Sequence, residues 1–368
     1  MQERALRKIL LIQAIEETDR NGEALPLLER TEATRAVLGN NSPVLETQAP
    51  LSSATEWFLI RRADILLRSL RERSPGIDHV LAVAGGATSL DRGTLVLAFV
   101  AGLVLSLLDG GRGINIFALP LIALIAWNLL VYLLLLGRVG KGGADIRKSG
   151  VGVCNAEVGV PSAAAGVPRS AWFGGFYTRW VRRRIDRLLG HSTRFNAPLA
   201  PGLRRFAGDW WDIAQPLFVL RARRLLHLAA ALLAVGLVAG YFFRGFVLRS
   251  AAGWEGGGIL GPETAYALLT VLYGPAALLS GIAIPGAAEL ARLRWSAPSL
   301  GGVGEPAGWI PLIAWTAGLY VVLPRLLAAL LSTFGLWRLS RRLTLPSGVI
   351  GYVRTLFAAA HYGTELKP

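Results

Sequence analysis

Between Trp309 and Trp337 the chain reads WIPLIAWTAGLYVVLPRLLAALLSTFGLW, an apolar run of 29 residues with a single charge in it, Arg325, directly after Pro324. A run of this kind constrains the fold more than any other feature, because about 20 apolar residues already cross a hydrocarbon layer of about 30 Å. As a helix the run is about 43 Å long, so it must tilt, kink or protrude. Pro324 predicts the kink, since it has no N–H for the carbonyl of Tyr320. A permanent charge inside such a run is costly and needs a reason. One reason is structural: the kink aims the guanidinium at freed carbonyls, at Asn128 or at inner headgroups. The other is functional, with Arg325 as the charge that an anion or a moving helix senses.

Three further stretches are candidates to cross a bilayer. They are 94–108 (the weakest, needing part of the preceding GGATSLDRG), 116–136 (containing Pro120 and Asn128) and 225–243, behind the basic collar Arg221, Arg223 and Arg224. A composition of 53% hydrophobic and 17% charged residues agrees with an apolar solvent, since soluble chains carry about 25% charged residues. The net charge of +15 would suggest nucleic acid in a soluble protein, so its distribution decides. Residues 138–221 hold 14 Lys/Arg against 5 Asp/Glu and residues 338–368 hold 5 against 1, whereas 244–306 hold 4 against 4. The positive-inside rule then predicts a cytoplasmic middle region and C-terminus and an extracytoplasmic 244–306 segment. With two spans before the middle region, the near-neutral residues 1–93 are cytoplasmic as well. No cleavable signal peptide is expected, because the first apolar element, ILLIQAIEE, turns acidic within a few residues.

The expected fold is an all-α integral membrane protein of about four spans. The N-terminal region predicts a helix, a turn at Asn21-Gly22, a second helix from Pro26, a polar linker near 40–54, and a third helix ended by Ser74-Pro75-Gly76. These helices need the middle region, or a partner, to complete a core. In that middle region Trp180, Val181, Ile185, Leu188 and Leu189 recur at helical spacing among Arg179, Arg182, Arg183, Arg184 and Arg187. This basic amphipathic helix suits the anionic lipids of an inner leaflet, or an acidic protein partner; with the charge confined to one side, nucleic acid is not expected. Between the last two spans, Pro262–Gly274 and Pro275–Pro285 read as two short helices broken at Gly274-Pro275, forming a re-entrant or interfacial hairpin. The tail from 338 reads as a basic cytoplasmic segment.

Chemistry is sparse. One cysteine and four scattered histidines exclude a disulfide framework and metal-ligand spacing. Gly137–Gly143, GRVGKGG, lacks the phosphate-loop spacing and reads as a flexible membrane exit, and the acidic run Glu16, Glu17, Asp19 reads as a solvated helix end. No catalytic residue, cofactor or metal is expected. Gly236 and Gly240 form G-x-x-x-G, open to a neighbouring helix of this chain or of a second copy. His227 lies about one turn inside the basic collar, as a headgroup-level residue or a pH sensor.

Several strings together, LHLAAALLAVGLVAGYFFRGF (with Arg244), AGWE (with Trp254 and Glu255), YGPAALLSGIAIP and LYVVLPRLLAALLS, resemble a family of bacterial inner-membrane proteins catalogued only as a domain of unknown function. Its members are often encoded beside a predicted cytosolic GTPase. The chain departs from the family at Gly256, Gly257 and Gly258, where Ser/Thr-type residues are expected. The resemblance implies a multipass protein of the bacterial inner membrane. Two readings of function follow: a scaffold or regulator that recruits a cytosolic partner such as a GTPase, or a channel or transporter subunit in which broken helices and Arg325 handle an anion.

Overall fold

The computed structural model describes residues 2–39, 53–86, 89–108, 113–148, 183, 197–254, 260–295, 306–341, 343 and 346–365. It is mostly helical. The chain divides into two compact units. The first comprises 1–89, 163–223 and 332–368, and the second 90–162 and 224–331.

In the first unit α1 (Glu3–Thr18), α2 (Leu27–Leu38) and α3 (Ser53–Arg73) form as the sequence predicts, with Gly22 at φ 71° in the turn after α1. A short α4 (Ile77–Ala84) follows. The core these helices begin is completed by Trp210 and Phe218 near the start of a long helix, α7 (Ala200–Phe242; α5 and α6 belong to the second unit). It is closed by Val349, Tyr352 and Val353 from α12 (Ser347–Glu365; α8 to α11 are given below). The expectation that the N-terminal helices need more chain is met by 199–218 and by the C-terminal segment, which is a docked helix where the sequence suggested only a basic tail. In α3 it is Phe58 that enters the core, while Trp57 stays 58% exposed. The amphipathic stretch 176–195 lies outside the described residues except for Arg183, as does most of the 40–54 linker.

The acidic run at the end of α1 is paired rather than free in solvent. Asp19, 6% exposed, accepts hydrogen bonds from the backbone N–H groups of Glu23 (2.9 Å), Ala24 (3.0 Å) and Leu25 (2.9 Å) and from Arg30 Nη2 (2.6 Å). Glu16 pairs with Arg62, and Glu17 with Arg205. Burial alone would raise the Asp19 pKa, but the three backbone donors and Arg30 outweigh it and hold the carboxyl below its usual range. A depressed carboxylate stabilises the fold above its unfolded pKa of about 4, and that contribution is lost as pH falls through the folded value. Thermal midpoints in detergent should therefore hold steady above about pH 5 and drop on acidification. Asp19→Ala should lose about 1–3 kcal/mol at neutral pH and show a shallower acid limb.

The second unit holds α5 (Ser89–Leu108), α6 (Leu119–Lys148), the end of α7, α8 (Pro262–Ser280), α9 (Ala287–Arg292), α10 (Pro306–Ala317) and the start of α11 (Leu323–Ser340). Among the described residues, three helical stretches are long and apolar enough to cross a membrane: Asp91–Leu108, Ala200–Val247 and Gly308–Ser340. The remaining candidate, in α6, has the shorter apolar stretch Leu119–Leu133 among its described side chains. Its helix runs on through Gly137–Gly143, so those glycines are helical and not a flexible exit. The two short helices expected after 262 are one, α8, with Pro275 inside it and Gly281 closing it at φ 72°. Pro275 removes one backbone bond, and the buried Tyr273 and Ala276 on either side hold the helix together across it.

Near the ends of these helices three short segments are laced together. Ile114-Asn115 pairs in parallel with Ala252-Gly253, and Trp254 bridges to Arg294. Trp254, fully buried, donates from Nε1 to the carbonyl of Leu290 (2.8 Å), and Tyr273 donates from its hydroxyl to that of Ile116 (2.8 Å). Buried donors at both aromatic residues are thereby satisfied.

Candidate functional site

Pro324 sets the local geometry. An α-helical bond from its nitrogen to Tyr320 cannot form, and the chain adopts a π segment, Gly318–Val322, in which the N–H of Leu323 reaches back to the carbonyl of Gly318. The kink predicted from the sequence is thus a change of hydrogen-bond register just before Arg325.

Arg325 is 7% exposed. Its Nε donates to Asn128 Oδ1 at 2.6 Å, and Nη1 lies 3.2 Å from His227 Nδ1. The guanidinium carbon sits 5.8 Å from the centroid of the Tyr132 ring, a cation–π separation. Asn128 in turn donates from Nδ2 to the carbonyl of Leu124 (2.7 Å), which fixes its amide with the oxygen towards Arg325. Asn128 and Tyr132 are four residues apart and so share a face of α6. None of these described partners of Arg325 is a carboxylate, so the guanidinium is held here by side-chain dipoles and a ring. The arrangement joins α6, α7 and α11 at one point.

Of the residues singled out from the sequence, His227, Pro324 and Arg325 come together here with Asn128. Tyr132 was not anticipated, although its spacing from Asn128 carried the signal. Gly236 and Gly240 lie elsewhere on α7 and face α5. A Cβ on Gly236 would stand 2.1 Å from the carbonyl oxygen of Phe99, and one on Gly102 would stand 2.0 Å from that of Leu233. The G-x-x-x-G face is therefore occupied by α5 of the same chain. Because the obstructing atoms are backbone, Gly236→Ala must push the helices apart. It should lower the thermal midpoint in detergent by about as much as a core overpacking of 1–3 kcal/mol, more than Ala at the uncrowded Gly274 of α8.

Arg244 lies in a second π segment, Phe243–Val247, and is 5% exposed. It donates from Nη1 to the carbonyl of Ser106 (2.8 Å) and from Nη2 to that of Gly113. On the Ser106 carbonyl, in the last turn of α5, the cation meets the helix end with charge of the favourable sign. Trp254 is the buried anchor already described, and Glu255 lies outside the described residues. An apolar groove of about 420 Å³ beside the first π segment is lined by Leu279, Ala314, Trp315, Gly318, Leu319 and Leu323. No charged side chain enters it. Among the described residues no cluster of His, Cys, Asp or Glu is placed to hold a metal ion.

Comparison with protein-family models, with curated proteins and with solved structures returned no match.

Proposed function

We propose that the protein is a four-span scaffold of the bacterial inner membrane whose first unit recruits or regulates a soluble cytoplasmic partner. The observation that carries this reading is the use made of Arg325. Its Nε and Nη1 are taken up inside the bundle by Asn128 and His227, which suits a fastener between three helices better than a site for passing solutes. The apolar lining of the nearby groove supports the same view. With the membrane unit as an anchor, the working surface belongs to the first unit, and the charge distribution favours the cytoplasmic side for that unit and both termini. The resemblance seen in the sequence makes a GTPase the first partner to seek.

The test is affinity purification in mild detergent with mass spectrometry, reporting stoichiometric partners and subunit number. A soluble partner retained through purification and lost when the first unit's surface is changed supports the scaffold. Phosphatase fusions should be active near Gly257 and inactive near Gly166 or after Lys367, and the reverse pattern overturns the orientation.

A second reading, a channel or transporter subunit handling an anion, is favoured by one observation: the partners of Arg325 among the described residues, Asn128, His227 and Tyr132, include no carboxylate. Anion flux into liposomes carrying the purified protein, absent in Arg325→Gln, would establish it.

A further inference from the structure

Two arginines of the first unit are held in a manner that asks for an anion. Arg7 on α1 and Arg221 on α7 lie against the Gly85-Gly86 turn that ends α4. A Cβ at Gly85 would meet Arg7 Nη1 and Cζ, and one at Gly86 would meet Arg221 Cδ at 2.8 Å and Nη1 at 3.0 Å. Gly86 has φ 69°, so side chains are disfavoured there twice over. Arg7 Nη1 donates to the carbonyl of Leu81. Arg221 Nη2 donates to both oxygens of Glu3, each at 2.7 Å. That carboxylate is shared: Arg7 Nε is 3.7 Å from it, too far for a hydrogen bond.

Two donors are left over. Arg7 Nε and Arg221 Nη1 are both buried and have no hydrogen-bond partner among the described residues. A buried donor without an acceptor costs about 1–3 kcal/mol, more when it belongs to a charged group. Charge is also out of balance, because Glu3 serves two guanidinium groups and Arg4 adds a third cation nearby. Burial, together with the neighbouring Arg221 and Arg4, pushes Arg7 down from its usual range against the pull of Glu3. Solvent still reaches the cluster: the Arg7 and Arg221 side chains keep 14% and 12% of their exposure. The aromatic rings of Trp210 and Phe218, 5.9 Å and 5.4 Å from the two guanidinium carbons, fix both side chains in place.

We propose that Arg7 and Arg221, beside the Gly85-Gly86 turn, form a binding site for a phosphate group, contributed by an anionic phospholipid headgroup or by free phosphate. Guanidinium forks match phosphate oxygens in geometry and charge, and the turn without side chains leaves room for the two guanidinium groups to lie against it. Position along the chain favours the lipid. Gly86 comes just before the apolar stretch Asp91–Leu108, and Arg221 just before Leu225–Phe243, so both belong where a span meets the headgroups. The lipid source rests on the membrane reading above; the phosphate source does not.

The experiment measures the thermal midpoint of the full-length protein in detergent on adding phosphatidylglycerol, phosphatidylcholine, inorganic phosphate or chloride at matched ionic strength. A rise with phosphatidylglycerol alone identifies the headgroup, and a rise with inorganic phosphate over chloride identifies the free ion. In either case Arg221→Gln should weaken the apparent affinity by about tenfold or more. Arg338→Gln, on α11, should leave it unchanged. Should Arg221→Gln fail to fold, Glu3→Gln decides: with the competing carboxylate gone, the phosphate-dependent rise should grow. No difference between phosphatidylglycerol and phosphatidylcholine, together with none between phosphate and chloride, overturns the site. So does a rise that is the same in Arg221→Gln and unaltered in Glu3→Gln.

Discussion

Arg62→Ala should destabilise the first unit by about 3–5 kcal/mol, the largest effect expected of any single substitution there. Arg62, on α3, is 2% exposed and reaches three other helices from one guanidinium. Nη2 and Nη1 donate to the two oxygens of Glu16 on α1, at 2.7 and 3.2 Å. Nη1 also donates to the hydroxyl of Tyr352 on α12 at 2.7 Å, and Nε to the hydroxyl of Thr34 on α2 at 2.9 Å. The Tyr352 hydroxyl donates onward to Glu16 Oε2 at 2.5 Å. Burial, reinforced by Glu16 and opposed by Arg62, keeps that phenol protonated well above its usual range. Removing the arginine leaves a carboxylate enclosed without its cation, which is why the cost exceeds that of the hydrogen bonds alone. A midpoint lower by about 10 °C is the expected reading for a unit of this size. Trypsin should then cleave first around α12, whose attachment depends on Tyr352. The double variant Arg62→Met, Glu16→Leu should regain much of the loss, because the carboxylate goes together with its cation and only the Tyr352 and Thr34 hydroxyls lose a partner. A double variant no better than the single one would mean that the arginine acts through packing rather than through charge.

This network also marks where the sequence was readable and where it was not. Spans and helix starts are local: apolar runs, Pro26 at a helix entrance and the Asn21-Gly22 turn specify themselves within a few residues. The change of hydrogen-bond register ahead of Pro324 was legible as a break because the missing N–H is a property of one residue. Glu16, by contrast, looks like any exposed acid at a helix end, since its partners Arg62 and Tyr352 are far away in the chain. The same holds for the docking of α12: a 19-residue amphipathic helix does not announce which surface covers it. Pro275 misled in the other direction. A proline preceded by glycine is a breaker by local rules, and only the packing of Tyr273 and Ala276 shows why the helix carries on. At the candidate site, Arg325 and Asn128 stood out as polar residues in apolar runs, whereas Tyr132 did not, because tyrosine is unexceptional in a membrane helix.

Arg325→Leu should lower both the amount of protein in the membrane and its thermal midpoint in detergent. The substitution removes the charge, whose burial is unfavourable, and with it the donors that satisfy Asn128 Oδ1 and engage His227. In hydrocarbon those two effects oppose one another. The charge sits about 20 Å of helix away from Arg338, too far to draw on the same headgroups, so its dipolar partners are what make it tolerable. Leucine leaves the buried Asn128 oxygen with only the Tyr132 hydroxyl, 3.5 Å away, as a donor, at a cost of about 1–3 kcal/mol. It also loses the tie between α6, α7 and α11. Arg325→Lys keeps the charge but presents one ammonium where the planar fork met Asn128 and His227 at once, so it should fall between leucine and the native residue. The pair Arg325→Leu, Asn128→Leu separates the causes: with both polar partners gone the midpoint should recover towards the native value. Under the channel reading the outcome differs. Arg325→Leu would then insert and melt as the native protein does, yet lose anion flux. A normal midpoint with normal partner co-purification in Arg325→Leu would remove the fastener from the account.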